Sequence, residues 1–456
     1  MTDVEVLVRD IVQAYNHSGF KNDTVKERDY FLSFLTICFI NHVQKGHYRE
    51  QVELLFNIVD SDDLESVLEA EFLTILHSSL FQEVVNEALA LPDLTPFFEM
   101  TDKLSFLSES DVFANCNTFE LTVIYDRVLQ RLQMMNSKDR LSKRFNYQEP
   151  PFDFSELVSL LANKTEPHHA YDPFAISGES SISYVLHNND VAITTESVTQ
   201  TSKYIYQKLL IAGAANIEAK ASYALSPVAN VNQDSFDVAY TLFQPTETEE
   251  VRDHEIKERY KKEFLDKRVD SNTIFDKYRE HGFIQHILWS LKKDGIGFIV
   301  LGKGPLHRQP ENEARNLLLE QNFVDAVIQL PPKLITSRTV PLYILVLKKN
   351  RGNNTKIKFI DASSFCEFDG KCNKLVNLQQ LADIYHSRSS DTSICTEVDV
   401  SDIDRNSALL TVSTYIASEE TTYEPIDTDI IRQELTKQQK LTDYLLAKIH
   451  GSFELH

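Results

Sequence analysis

Cysteine is scarce: Cys38, Cys116, Cys366, Cys372 and Cys395 are odd in number, scattered and never in a C-x-x-C pair. That scatter argues against a disulfide framework or a multi-thiolate metal site and points to free thiols in a reducing compartment. Glycine and proline are also few, 12 and 14 in 456 residues, so few irregular stretches are expected. No apolar run reaches the length of a membrane span; the nearest, Phe31 to Val43, is broken by Ser33, Thr36, Asn41 and His42. Positive charge is outweighed, 46 basic against 68 acidic residues, and a net charge of −22 opposes unassisted binding to a phosphate backbone. A DNA partner would therefore need basic surface from another chain. The first residues, Met1 to Glu5, lack the basic n-region of a secretory signal. No Walker loop, Ser-His-Asp arrangement or nuclease-like acid cluster stands out, and the chain reads as a soluble cytoplasmic protein without a metal site.

What is present is ordinary globular composition, 42% hydrophobic, at a length that predicts two or three domains. Up to about residue 145 apolar residues fall at helical spacing. Val4, Leu7, Val8, Ile11 and Val12 form one face, Tyr30, Phe31, Phe34, Leu35 and Cys38 a second, and Val52, Leu55, Phe56 and Val59 a third. Further helices are expected over Leu64–Leu91 and Asn117–Met135.

From about Asp153 helices alternate with short strands, which predicts a doubly wound parallel α/β sheet. Strands are expected up to Asp172, over Asp190–Thr194, Phe236–Tyr240, Ile296–Leu301, Val324–Gln329 and Tyr343–Lys348, with a last one at Ile357–Ile360. A turn is expected at Lys293–Gly295. Val251–Arg268, charged on all sides, reads as a solvated helix. Asp427–Ile449 reads as a helix with Ile431, Leu435, Leu441, Leu445 and Ile449 on one face, docking either a partner helix or its own body.

The stretch Tyr171 to Ser180 (YDPFAISGES) has the outline of a strand ending in a tight turn that opens a helix, with backbone passing close to a ligand at Ser177 and Gly178. A G-x-G cradle needs two residues without a Cβ; here Ile176 takes the first place and Gly178 the second. Taken with this turn, Phe283–Val300, Ala326–Leu334, Thr339–Lys349, Phe359–Ser363, Glu397–Asn406 and Leu410–Tyr415 stand in an order that resembles the modification (M) subunits of type I restriction-modification systems, gamma-class adenine-N6 DNA methyltransferases.

The resemblance implies a Rossmann-like class I S-adenosylmethionine-dependent methyltransferase fold with an N-terminal all-helical domain and a C-terminal helical tail. The expected division is a helical domain over 1–145, a methyltransferase-like domain over 146–365, a closing segment over 366–426 and a terminal helix over 427–456. S-adenosylmethionine is the implied cofactor. Implied partners are a specificity-subunit-like chain and other restriction-modification or defence proteins, with DNA reached through the partner.

The functional motifs are degenerate. In the family the first-strand turn reads D-P-x-C-G-[ST]-G-G; Asp172, Pro173, Ser177 and Gly178 match, while Ile176 and Glu179 replace glycines. The F-x-T-P segment that closes over the cofactor is reduced to a remnant ending in Glu149 and Pro150, without the threonine. Glu196 stands where an acidic residue accepts the ribose hydroxyls, and a helix-start or solvent-facing glutamate is the equal alternative. The N-P-P-[FY] motif, whose asparagine and proline carbonyls accept the adenine amino group, falls on Leu242, Phe243, Gln244 and Pro245. Leucine has no acceptor. Three failed motifs at one pocket, inside a retained scaffold, are the pattern of a pseudoenzyme with no cofactor requirement; the alternative is an active methyltransferase in which Gln244 and Pro245 hold the adenine. Outside the pocket, His168 and His169 read as a surface turn, and Lys303, His307 and Arg308 as a basic loop on the strand-end rim.

Overall fold

The computed structural model describes residues 4–17, 25–43, 113, 116–135, 153–164, 168–175, 178–188, 190–197, 202–214, 216–222, 224–225, 230–242, 279–335, 339–368, 370, 372–387, 393–403 and 407–416. All of them belong to one of two compact units, Met1–Ile416; the other is Ala417–His456. The expected helices at Leu64–Leu91, Val251–Arg268 and Asp427–Ile449, and the face Val52–Val59, lie outside the described residues.

Three helices open the chain: α1 (Val4–His17), α2 (Val25–Val43) and α3 (Thr118–Met135). Leu7, Val8, Ile11 and Val12 of α1 are buried with Phe31, Phe34 and Leu35 of α2 and Leu121, Ile124 and Val128 of α3, as the helical spacing requires.

The α/β part runs α4 (Asp153–Ala162), β1 (His169–Asp172), α5 (Glu179–Leu186), β2 (Ala192–Ser197), α6 (Ser202–Ala212), β3 (Asn216–Ala221), β4 (Phe236–Leu242), α7 (Arg279–Ser290), β5 (Leu291–Leu301), α8 (Gly304–His307), α9 (Asn312–Glu320), β6 (Val324–Gln329), β7 (Tyr343–Lys348) and β8 (Lys356–Asp361). A small hairpin of β9 (Cys366–Phe368) and β10 (Asn373–Leu375) follows, then α10 (Leu378–His386) and β11 (Cys395–Asp399). Tyr204 and Ile211 of α6 join the core of the first three helices. The buried Lys208 reaches Asp126 of α3 at 2.8 Å.

Nine strands form one sheet in the order β11-β8-β6-β7-β5-β4-β1-β2-β3. The sheet is mixed, not wholly parallel: β7 is antiparallel to β5 and to β6, and β11 to β8. The reason is the link from Gln329 to Tyr343, which carries no described helix and returns as a loop closed by Leu330 N–H donating to Leu342 O at 2.8 Å. A parallel return would need a crossover. The expected turn at Lys293–Gly295 is an insertion inside β5: Phe236 pairs with Leu291 but Val238 with Ile296. The strand at Ile357–Ile360 is not the last, since β9, β10 and β11 follow it, and neither they nor the edge strand β3 was expected.

Alternation along the strands divides two cores. Ala170, Ile193, Val238, Phe298 and Val346 pack with α4, α5, α6 and α10. Tyr171, Ala239, Ile299, Val327 and Leu345 pack with α7, α9 and the closing residues Leu410 and Val412.

Candidate active site

In an open α/β sheet ligands bind beyond the carboxyl ends of the strands, where order reverses. Here that is the rim where β1 lies between β4 and β2.

At the end of β1 the buried Asp172 uses both carboxylate oxygens within its own strand-turn-helix unit. Oδ1 accepts the Phe174 backbone N–H at 3.0 Å, closing the turn over Pro173, and Oδ2 accepts the Ser181 hydroxyl at 3.0 Å, anchoring α5. The turn is sewn to β2 by Ala175 N–H donating to Glu196 O at 2.9 Å. Gly178 precedes α5 with φ +82°, in the left-handed region, and a Cβ there would lie 2.9 Å from Ile205 Cγ2 of α6. The close approach expected for a ligand is thus made by a neighbouring helix. Ile176 and Ser177 lie outside the described residues.

Glu196 is the penultimate residue of β2 and 1% exposed, so it is neither a helix-start nor a solvent-facing residue. Oε2 accepts the Tyr171 hydroxyl at 2.8 Å and Oε1 the Ser222 hydroxyl at 2.9 Å. Burial pushes its carboxyl above the ordinary value, against the pull of Tyr171, Ser222 and Lys220. The Tyr171 oxygen in turn lies 2.8 Å from Nε2 of the fully buried His286 of α7, and its ring stacks on Phe236 at 4.4 Å. Because the phenol proton goes to Glu196, the His286 bond requires the proton on Nε2.

The group the fold implies, S-adenosylmethionine, would bring a ribose diol to this carboxylate. It would meet a buried acceptor that already carries two hydroxyl donors, and a glycine that faces a helix; in this arrangement Glu196 and Gly178 do not fit it.

Leu242 ends β4, its backbone paired with Val300. Phe243, Gln244 and Pro245, and Glu149 and Pro150, lie outside the described residues. His168 is buried against the Tyr184 hydroxyl at 2.7 Å, and His169 lies within β1 with its Nε2 2.9 Å from Thr194 Oγ1, so neither forms a surface turn. Among the described residues no cluster of three His, Cys, Asp or Glu could hold a metal ion, and no helix is long and apolar enough to cross a membrane. The expected basic loop is the short helix α8 with its flanking residues: Lys303 and His307 are exposed, while Arg308 pairs with Glu280 at 3.2 Å and Glu311 at 2.5 Å. Sequence reasoning passed over Tyr171, Ser222 and His286. Only His286 left a signal, a polar residue among Phe283, Ile284, Ile287 and Leu288 on the apolar part of α7.

The architecture is that of a class I S-adenosylmethionine-dependent methyltransferase. A solved type I restriction-modification methyltransferase subunit from Streptococcus thermophilus shares it with TM-score 0.60 over 91% of this chain and 99% of its own, at 16% identity. A modification subunit of a putative type I restriction enzyme from Vibrio vulnificus shares it with TM-score 0.59, over 90% and 96%, at 12% identity.

Residues 230–424 match the N-6 DNA methylase family. In sequence the chain is 37% identical over 140 residues to the type I restriction enzyme MpnII methylase subunit of Mycoplasma pneumoniae, covering 30% of this chain and 26% of that one. It is 26% identical over 217 residues to the MjaVII methylase subunit of Methanocaldococcus jannaschii, covering 42% and 37%. The likeness to the N-6 DNA methylase family and to the methylase subunits of type I systems is thus carried by part of the chain, and the matched stretches span well under half the length of these relatives.

Proposed function

We propose that the chain is a non-catalytic homologue of a type I modification subunit, an assembly or regulatory component of a DNA modification, restriction or phage-defence complex. The observation that carries this reading is Leu242 at the end of β4. In the resemblance to the N-P-P-[FY] motif it takes the position of the asparagine whose carbonyl accepts the adenine amino group, and a hydrocarbon side chain accepts no hydrogen bond. Ile176 and the Glu149–Pro150 remnant support it from the cofactor side. The relatives are methylase subunits of type I restriction enzymes, and a solved type I restriction-modification protein shares the fold with TM-score 0.54 at 16% identity, which supports partner chains as this protein's setting.

The competing reading is an active adenine-N6 methyltransferase that uses Gln244 and Pro245. The test is transfer of labelled methyl from S-adenosylmethionine to adenine-containing duplex DNA, by the full chain alone and with a specificity-subunit-like partner. The non-catalytic reading expects incorporation equal to a protein-free control in both. Incorporation that disappears in Gln244→Ala would establish the enzyme instead.

A further inference from the structure

The donor pattern on Glu196 is that of a bound sugar. A vicinal diol held by a carboxylate gives one hydroxyl to each oxygen, and here Tyr171 gives one to Oε2 at 2.8 Å and Ser222 one to Oε1 at 2.9 Å. Neither the carboxylate nor the phenol can turn outward easily. Glu196 is 1% exposed, and Asn230 adds a further hydrogen bond to it. The Tyr171 ring lies nearly parallel to Phe236, at 14°, and its oxygen is held by His286, whose own ring stacks on Trp289 at 5.7 Å. Tyr171 comes from β1, Ser222 from the end of β3 and His286 from α7, so three elements converge on one side chain of β2.

We infer that Tyr171 and Ser222 act as an internal stand-in for a ribose diol, closing the Glu196 carboxylate to nucleosides. Freeing Oε2 would leave the buried Tyr171 hydroxyl proton without the acceptor it has on Glu196, so an entering diol would have to replace a satisfied network with an equal one. The inference deepens the non-catalytic reading and rests on it for its biological sense; the experiment separates the two.

Adenosine and 2′,3′-dideoxyadenosine are titrated calorimetrically into the full wild-type chain. Stability is measured in urea for Tyr171→Phe, Glu196→Gln and the double variant. A closed carboxylate gives no preference for the diol, and a coupling between the two substitutions of about tenfold in the unfolding equilibrium constant. Adenosine binding about tenfold or more tighter than the dideoxy compound, with the advantage lost in Glu196→Gln, would overturn it, as would coupling below about twofold. The ligand comparison uses wild type only and holds even where a variant does not fold. Methyl transfer to DNA without a diol preference would remove the non-catalytic reading and leave the closed carboxylate standing.

Discussion

Gly178 combines two demands that no other residue type meets. Its φ of +82° costs an L side chain about 1 kcal/mol, and a Cβ 2.9 Å from Ile205 Cγ2 and 3.0 Å from Cγ1 forces α5 and α6 apart. Gly178→Ala should therefore destabilise the fold by about 2–3 kcal/mol, read as a lowered urea midpoint at unchanged slope. A loss under about 0.5 kcal/mol would mean that the α5–α6 contact is not what requires glycine here. The sequence announces that a glycine is needed after this turn, because the signature is one of backbone conformation. It does not announce what approaches, since Ile205 enters from a later helix. Asp172 is a similar case: its place at the strand end is legible, whereas its engagement with Phe174 and Ser181 depends on how the turn closes. The partners of Glu196 come from β1 and the end of β3, and no local pattern brings them together.

At the level of elements, legibility followed burial. Val324–Gln329 and Tyr343–Lys348 are mostly buried, with apolar centres at Ala326–Ile328 and Ile344–Leu347, and their predicted limits coincide with β6 and β7. β3, Asn-Ile-Glu-Ala-Lys-Ala, has exposed and half-buried positions only; it is a strand because β2 offers it backbone partners from Ala192 to Ser197. β7 returns antiparallel through a link that carries no described helix, which hydrophobic periodicity does not encode. The closing segment is held in a way its composition hides. Arg315 of α9, fully buried, donates to Ala408 O at 2.7 Å, Ser407 O at 3.0 Å, Arg308 O at 2.9 Å and Pro305 O at 3.2 Å, tying residues 407–408 to the loop after β5. Leu410 then reaches Leu306 O at 2.9 Å. Arg315→Met keeps much of the packing but leaves these carbonyls without their donor, so a loss of about 3 kcal/mol is expected, with faster amide exchange at Leu410 than in β6. Equal exchange at the two places would show that apolar packing alone holds the segment.

For the molecule as a whole the governing quantity is the net charge of −22. Binding to duplex DNA draws its free energy from basic groups that displace counterions, and several such groups among the described residues are already engaged. Arg308 faces Glu280 and Glu311, Lys348 and Arg351 share Asp325, Lys208 holds Asp126 and Lys292 holds Asp237. Lys303 and His307 are exposed on the strand-end rim, but two residues give little attraction against such an acidic background. The full chain alone should thus leave the anisotropy of a labelled duplex unchanged at about 0.1 M salt. Adding a basic specificity-subunit-like partner should produce binding whose steep salt dependence belongs to that partner, and Lys303→Glu in this chain should hardly alter the slope. Salt-sensitive binding by the chain alone, weakened by Lys303→Glu, would instead make the rim loop a DNA contact and remove the need for a second chain to supply positive charge.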